Sequence, residues 1–205
     1  ALKERVNIQF LPSNKKLFRS NEKVSLGLHI KNVKSLIVKV YELNAQNYYR
    51  QELQQVSTGI KLDGLVANME RTVKFEEAPL RRTERHFDFP ELNRPGVYVI
   101  DFIGNGKSSR VLVRKGKLRH LVRTGPAGHI FTILDESGTR IPDASIWLGG
   151  QQYSPQKNGT IQVPFSTSPG SQSLILVHDG FASFDRFSHE SENYSFAAGI
   201  LVDRE

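Results

Sequence analysis

The sequence predicts an all-β chain that folds as two antiparallel β-sandwiches in tandem. Apolar and polar residues alternate with a period of two through most of the chain, and turn residues separate the alternating runs at short intervals. Only one stretch has helical spacing. The 205 residues are enough for two sandwiches of about 100 residues each.

Strands in the first half are predicted from alternation and from turn signals. Val6, Ile8 and Phe10 alternate with polar residues, as expected for a strand with one face in a core. Asn105-Gly106 lies between two apolar runs and predicts a tight hairpin turn. The predicted strands cover residues 6–10, 24–30, 36–41, 85–89, 97–103 and 110–114.

Residues 45–56 are the best helical candidate. Tyr48, Tyr49, Leu53 and Val56 fall near helical spacing, which favours a helix with one apolar face. An irregular strand is the alternative.

A second series of strands follows the predicted domain boundary, which divides the chain into residues 1–120 and 121–205. Residues 124–128, rich in Gly and Pro, are expected to form a linker or domain edge. The predicted strands cover residues 130–134, 144–148, 160–165, 173–178, 184–189 and 194–202.

Charge is distributed unevenly between the two halves. The net charge of +7 divides into +10 up to Lys117 and −3 after it. We expect Val111 and Val113 to point inward, with Leu112 on the outward face between two arginines. A solubilising edge is the simpler interpretation of the basic run, and docking of another module or an anionic surface is the functional one. The candidate docking residues are Arg110, Arg114, Lys115, Lys117, Arg119 and Arg123.

Several classes of chemistry find no support in the sequence. The chain has no Cys, which excludes disulfides, cysteine nucleophiles and thiolate metal sites. No His pair has the spacing of a zinc protease, no nucleophile elbow is present, and adjacent carboxylates such as Glu76 and Glu77 face opposite ways. The basic run lacks the interleaved aromatic residues of nucleic-acid binders, and no apolar run is long enough to span a bilayer. We therefore predict no enzyme, no cofactor, no metal, no nucleic-acid partner and no membrane insertion.

Both halves resemble known sandwich domains. Residues 17–26, 36–41 and 94–100 resemble the macroglobulin-type domain of the alpha-macroglobulin and complement superfamily. Residues 128–130, 135–138, 141–146 and 158–161 resemble the carboxypeptidase-regulatory or transthyretin-like domain. The tandem resembles part of a bacterial-type alpha-macroglobulin-like protein, with an immunoglobulin-like fold in each half.

The resemblance implies a structural role inside a larger protein. The family's thioester needs Cys, so this segment would be scaffold, and protease trapping would be a property of the whole protein. The resemblance also implies an extracellular or periplasmic location, with neighbouring domains, proteases or anionic surfaces as partners. We expect the chain to be an internal segment, because it opens in a polar run at Ala1 and ends in an apolar one.

An adhesion or carbohydrate-binding module is the alternative function. Five aromatic residues could form a platform for a glycan or peptide. They are Trp147, Phe165, Phe181, Phe184 and Phe187.

Overall fold

The computed structural model describes residues 5–76 and 81–193. The all-β prediction is confirmed, since strands dominate and a single short helix interrupts them in this part of the chain. The predicted strand over residues 194–202 and the carboxylate of Glu77 lie outside the described residues. No helix in the described ranges is long and apolar enough to cross a membrane.

The first sandwich consists of a three-stranded and a five-stranded sheet. The smaller sheet has the order β1-β3-β6 and the larger has the order β2-β8-β7-β4-β5. All pairings are antiparallel except that of β2 with β8. The bounds are β1 (Asn7–Phe10), β2 (Leu17–Phe18), β3 (Ser25–Lys31), β4 (Ser35–Leu43), β5 (Met69–Lys74), β6 (Thr83–Asp88), β7 (Gly96–Gly104) and β8 (Lys107–Lys115).

The core of this sandwich forms between the two sheets. Alternation along β3 places Leu26, Leu28 and Ile30 inward, where they pack with the ring of Phe102. The hairpin between β7 and β8 turns at Asn105-Gly106, both with positive φ, as the Asn-Gly pair predicts.

The second sandwich has sheets of three and four strands. Their orders are β13-β10-β9 and β12-β11-β14-β15, all antiparallel. Phe131, Ile146, Leu174 and Leu176 lie fully buried between them. The bounds are β9 (Arg119–Gly125), β10 (Gly128–Leu134), β11 (Ser145–Leu148), β12 (Gln151–Tyr153), β13 (Ile161–Val163), β14 (Gly170–His178) and β15 (Phe181–His189).

The predicted linker over residues 124–128 is wrong. Gly125 pairs with Gly128 at the end of the β9–β10 ladder, so residues 126 and 127 form a hairpin turn inside the second sandwich. The chain passes from one sandwich to the other between Lys115 and Arg119 instead. The domain boundary at residues 120/121 stays a prediction.

The helix exists but is shorter than the predicted stretch. Helix α1 spans Ala45–Glu52, and the side chain of Asn44 accepts a hydrogen bond from the Asn47 backbone N–H at 3.1 Å. This contact caps one of the four free N–H groups at the helix start. Leu53 adopts a left-handed conformation with φ of 52° and ends the helix.

Candidate docking surfaces at the junction of the two sandwiches

An apolar junction joins the two sandwiches. The outer face of the five-stranded sheet and the outer face of the four-stranded sheet both pack against α1 and the segment that follows it. We call this set of residues the junction cluster. Its buried members are Ala45, Tyr49, Val56, Val97, Val99, Leu112, Ile175 and Ala182, with Trp147, Val177 and Phe184 packed against them.

Helix α1 fills the space between the two sheets because its apolar face is aromatic. Tyr49 is only 1% exposed, and its ring lies 5.4 Å from the ring of Phe184 on β15. Burial raises the pKa of the Tyr49 hydroxyl, and the nearby Arg114 opposes that rise. The hydroxyl therefore stays neutral, because a buried phenolate would lose its hydration.

Hydrogen bonds between the sandwiches surround the junction cluster. Glu136 accepts from both the backbone N–H and the hydroxyl of Ser20, at 2.7 and 2.6 Å. Each such bond contributes about 1 kcal/mol net to stability. Because a hydrogen bond is directional, it also restricts the relative orientation of the two sandwiches, which apolar contacts alone do not. The others run from Arg50 to Gln152, from Gln55 to the Phe184 carbonyl, and from Ser173 to the Leu53 carbonyl.

Three of the predicted docking residues act as internal tethers. Lys115 is 3% exposed, and its Nζ donates to the carbonyl oxygen of Glu22 at 2.5 Å. Arg114 donates to the Val56 carbonyl at 2.7 Å, and Arg110 donates to the Ile60 carbonyl at 3.0 Å. These contacts hold the segment after α1 and the turn before β3 against β8.

The other three predicted docking residues are exposed. Lys117 lies in the crossing between the sandwiches, and Arg119 and Arg123 lie on β9. Since His120 faces Phe131 in the second core, Arg119, Leu121 and Arg123 point to the opposite face of the sheet. The structure therefore divides the six residues into a set bound to backbone carbonyls and an exposed set.

Leu112 lies on the outward face of β8, as predicted, but that face is covered. Its side chain does point away from the first core, as the alternation predicts, but there it meets the junction cluster and is 7% exposed. A sheet covered on both faces has nearly continuous apolar strands. The runs 97–100 and 174–177 carry that signal, and it could have indicated the junction.

The five aromatic residues of the alternative platform do not form one surface. Trp147 and Phe184 pack against the junction cluster, and Phe187 is buried in the second core. Phe165 is partly buried, with its ring 5.3 Å from that of the buried His129, and Phe181 packs against the second core. The five residues therefore do not form the single platform that the adhesion alternative needs, although Phe181 and Phe184 line one groove together.

Fold and junction together place the chain in the class of tandem immunoglobulin-like β-sandwiches. Residues 36–116 match the family model described as AbpF first immunoglobulin-like domain. Over 209 aligned residues the chain is 41% identical to actin-binding protein F of Dictyostelium discoideum. The alignment covers 98% of this chain but only 9% of that relative, so the chain spans about a tenth of its length.

Solved structures with a similar fold come from Escherichia coli alpha-2-macroglobulin. A structure spanning its domains MG0-NIE-MG1 has a TM-score of 0.54 and 13% identity, covering 88% of this chain and 63% of that one. A structure spanning NIE-MG1 has a TM-score of 0.50 and 16% identity, covering 90% and 98%. At these identities the likeness extends to the fold alone, so the predicted resemblance is supported at that level. The likenesses support a non-catalytic segment of a multidomain protein.

Proposed function

We propose that this segment is a rigid, non-catalytic spacer that holds its neighbouring domains at a fixed angle in a large multidomain protein. The observation that supports it is the junction cluster, in which α1 packs against both sandwiches. Interfaces between domains allow relative motion unless they are large and apolar. A helix that buries Ala45 and Tyr49 between the two sheets, with hydrogen bonds around it, restrains that motion.

The test compares the orientations of the two sandwiches in solution. Residual dipolar couplings of backbone N–H groups give an alignment tensor for each sandwich, and one rigid body gives one common tensor. We expect a common tensor for the unaltered chain. Tyr49→Ala combined with Phe184→Ala should make the two tensors differ, whereas Leu121→Ala on β9 should not. Two different tensors in the unaltered chain would rule out the spacer function.

Contact with an actin filament is a second candidate function. It is favoured by the 41% identity to actin-binding protein F, which extends over 98% of this chain. The exposed Arg119 and Arg123, with Leu121 between them, are the contact that we propose on β9.

Co-sedimentation with actin filaments tests this second function. The unaltered chain should pellet with filaments, and Arg119→Glu combined with Arg123→Glu should abolish pelleting. Lys157→Glu, a charge reversal on an exposed turn of the second sandwich, should pellet like the unaltered chain. A chain that stays in the supernatant at every filament concentration does not bind actin.

For the whole protein we propose three further properties on the basis of the macroglobulin resemblance. They are protease trapping, an extracellular or periplasmic location, and proteases or anionic surfaces as partners. The full-length protein is the material on which they are tested, by protease capture and by fractionation of cells.

A further inference from the structure

A groove of about 390 Å³ opens beside the junction cluster, where both sandwiches contribute its walls. Ligand sites occur preferentially at such interfaces between domains. The first sandwich supplies β2 and the end of β8, and the second supplies the start of β15.

The groove combines an apolar surface with a basic rim. Leu17 is 49% exposed there, and Phe181 and Phe184 line the same groove. The exposed leucine and the two phenylalanines give the groove an apolar surface that an apolar side chain could cover. The cations that line the groove are Lys16, Arg114 and Lys117, and the acidic residue among the described lining is Asp185.

The cations of the basic rim can still pair with an acidic ligand. Lys16 and Lys117 are exposed and make no ion pair with a described residue. Arg114 donates to the Val56 carbonyl and also interacts with the Tyr49 hydroxyl, but its buried Nε has no partner in the described ranges. The carboxylate of Asp185 lies 3.7 Å from the Nδ1 atom of His120 and makes no ion pair with either lysine. The rim therefore carries an excess of positive charge over the one carboxylate.

We propose that this groove binds an extended acidic peptide segment that carries an apolar side chain between its carboxylates. Carboxylates pair with Lys16 and Lys117, and the apolar side chain packs on Leu17. The excess of positive charge favours acidic groups, and the apolar residues that share the groove favour a peptide with an apolar side chain over a free anion. The site rests on the proposed fixed junction, because its walls belong to both sandwiches.

Binding to both walls has a thermodynamic consequence. A ligand that contacts both sandwiches only when they are docked stabilises the docked arrangement. Peptide binding should therefore slow amide hydrogen exchange in β2 and in β15 together.

The experiment titrates the ¹⁵N-labelled 205-residue chain with a blocked peptide of sequence Glu-Glu-Leu-Phe-Glu-Glu. Two matched peptides separate the contributions: Gln-Gln-Leu-Phe-Gln-Gln removes the charge, and Glu-Glu-Ser-Ser-Glu-Glu removes the apolar side chains. We expect amide shifts at Leu17 and Ser183 with the first peptide, and much weaker binding of both matched peptides. Lys16→Glu combined with Lys117→Glu should raise the Kd at least about tenfold, and Lys157→Glu should leave it within about twofold.

Three results would overturn the proposal. They are an absence of shifts at the groove at millimolar peptide, an unchanged Kd in the Lys16/Lys117 double variant, or shifts confined to β9. The dipolar-coupling measurement separates failure of this site from failure of the spacer function. A common tensor without peptide binding rejects the groove alone, and two tensors reject both.

Discussion

Two outer sheet faces of this molecule have opposite environments. The outer face of the five-stranded sheet is covered by α1 and the second sandwich, and Leu112 on it is 7% exposed. The outer face of β9, in the three-stranded sheet, is open, and Leu121 on it is 61% exposed. Both leucines lie between two arginines at alternate positions, in strands separated by a short crossing.

The difference shows that alternation decides which face a side chain takes, but not what that face meets. Arg110-Val-Leu-Val-Arg114 and Arg119-His-Leu-Val-Arg123 are nearly the same pattern. The first arginine pair is fixed to carbonyl groups of the segment after α1, and the second pair is exposed. The two strands therefore differ because the segment after α1 covers the outer face of β8 and no described segment covers that of β9.

The largest expected effect comes from the same substitution on the two faces. Leu112→Asp removes a buried apolar side chain and introduces an unpaired charge, so the free energy of unfolding should fall by about 3 kcal/mol or more. Leu121→Asp should change it by less than about 0.5 kcal/mol, because the carboxylate remains in water. Urea unfolding of both variants measures the contrast. Equal losses would mean that the outer face of the larger sheet is not covered in solution.

The next comparison uses two lysines close together in the chain. Lys115→Ala leaves the carbonyl of Glu22 without its charged donor in a buried place, which should cost about 2 kcal/mol. Lys117→Ala truncates an exposed side chain and should cost less than about 0.5 kcal/mol. Thermal unfolding gives both values. A Lys115→Ala variant as stable as Lys117→Ala would show that the buried contact contributes nothing.

A smaller effect is expected at the edge of the junction. Ser20→Ala removes the hydroxyl that donates to Glu136, and urea unfolding should show a free energy of unfolding lower by about 1 kcal/mol. Ser13→Ala, at an exposed serine of a turn in the same sandwich, is the matched control and should be neutral. The loss is due to this contact if Ser20→Ala has no further effect in a chain that already carries Glu136→Ala, which removes the acceptor. A full loss in that background would assign the effect to another cause.

Much of the fold could be predicted because it depends on local patterns. Strands such as β3 and β7 alternate clearly or contain long apolar runs, and Asn105-Gly106 marks its own turn. The sequence does not predict the strands β2, β5, β9 and β12, because they are short or rich in polar residues. Each of these four lies at a sheet edge, where ladder hydrogen bonds from a neighbour stabilise a strand that its own side chains do not indicate.

The candidate site could be predicted only in part. A basic run is visible in the sequence, but its division into tethers and exposed residues depends on the loop carbonyls that reach Arg110 and Arg114. Those carbonyls lie 50 and 58 residues earlier in the chain, and no local pattern indicates them. The groove likewise requires β2 and β15 to meet, which is a property of the junction.

The smallest effect we predict is a pH dependence within the exposed strand. His120 is the partly buried exception on β9, with a side chain that is 16% exposed and a ring 5.8 Å from that of Phe131. Burial lowers the pKa of His120 below its ordinary value of 6.5, and Asp185 at 3.7 Å only partly opposes this. The unfolded chain therefore binds a proton at a pH where the folded chain does not.

The sign of the effect follows from this difference. Folding favours neutral His120, so its contribution is fully present above pH 6.5 and is lost as the pH falls toward the lower pKa of the folded state. His120→Gln should lose less stability than the unaltered chain between about pH 7.5 and about pH 5.5, as measured by urea unfolding. His86→Gln, in which an exposed histidine of the first sandwich is replaced, should retain the full loss. Equal pH dependence in all three chains would mean that β9 does not hold His120 against the second core, and both faces of the strand would then be open.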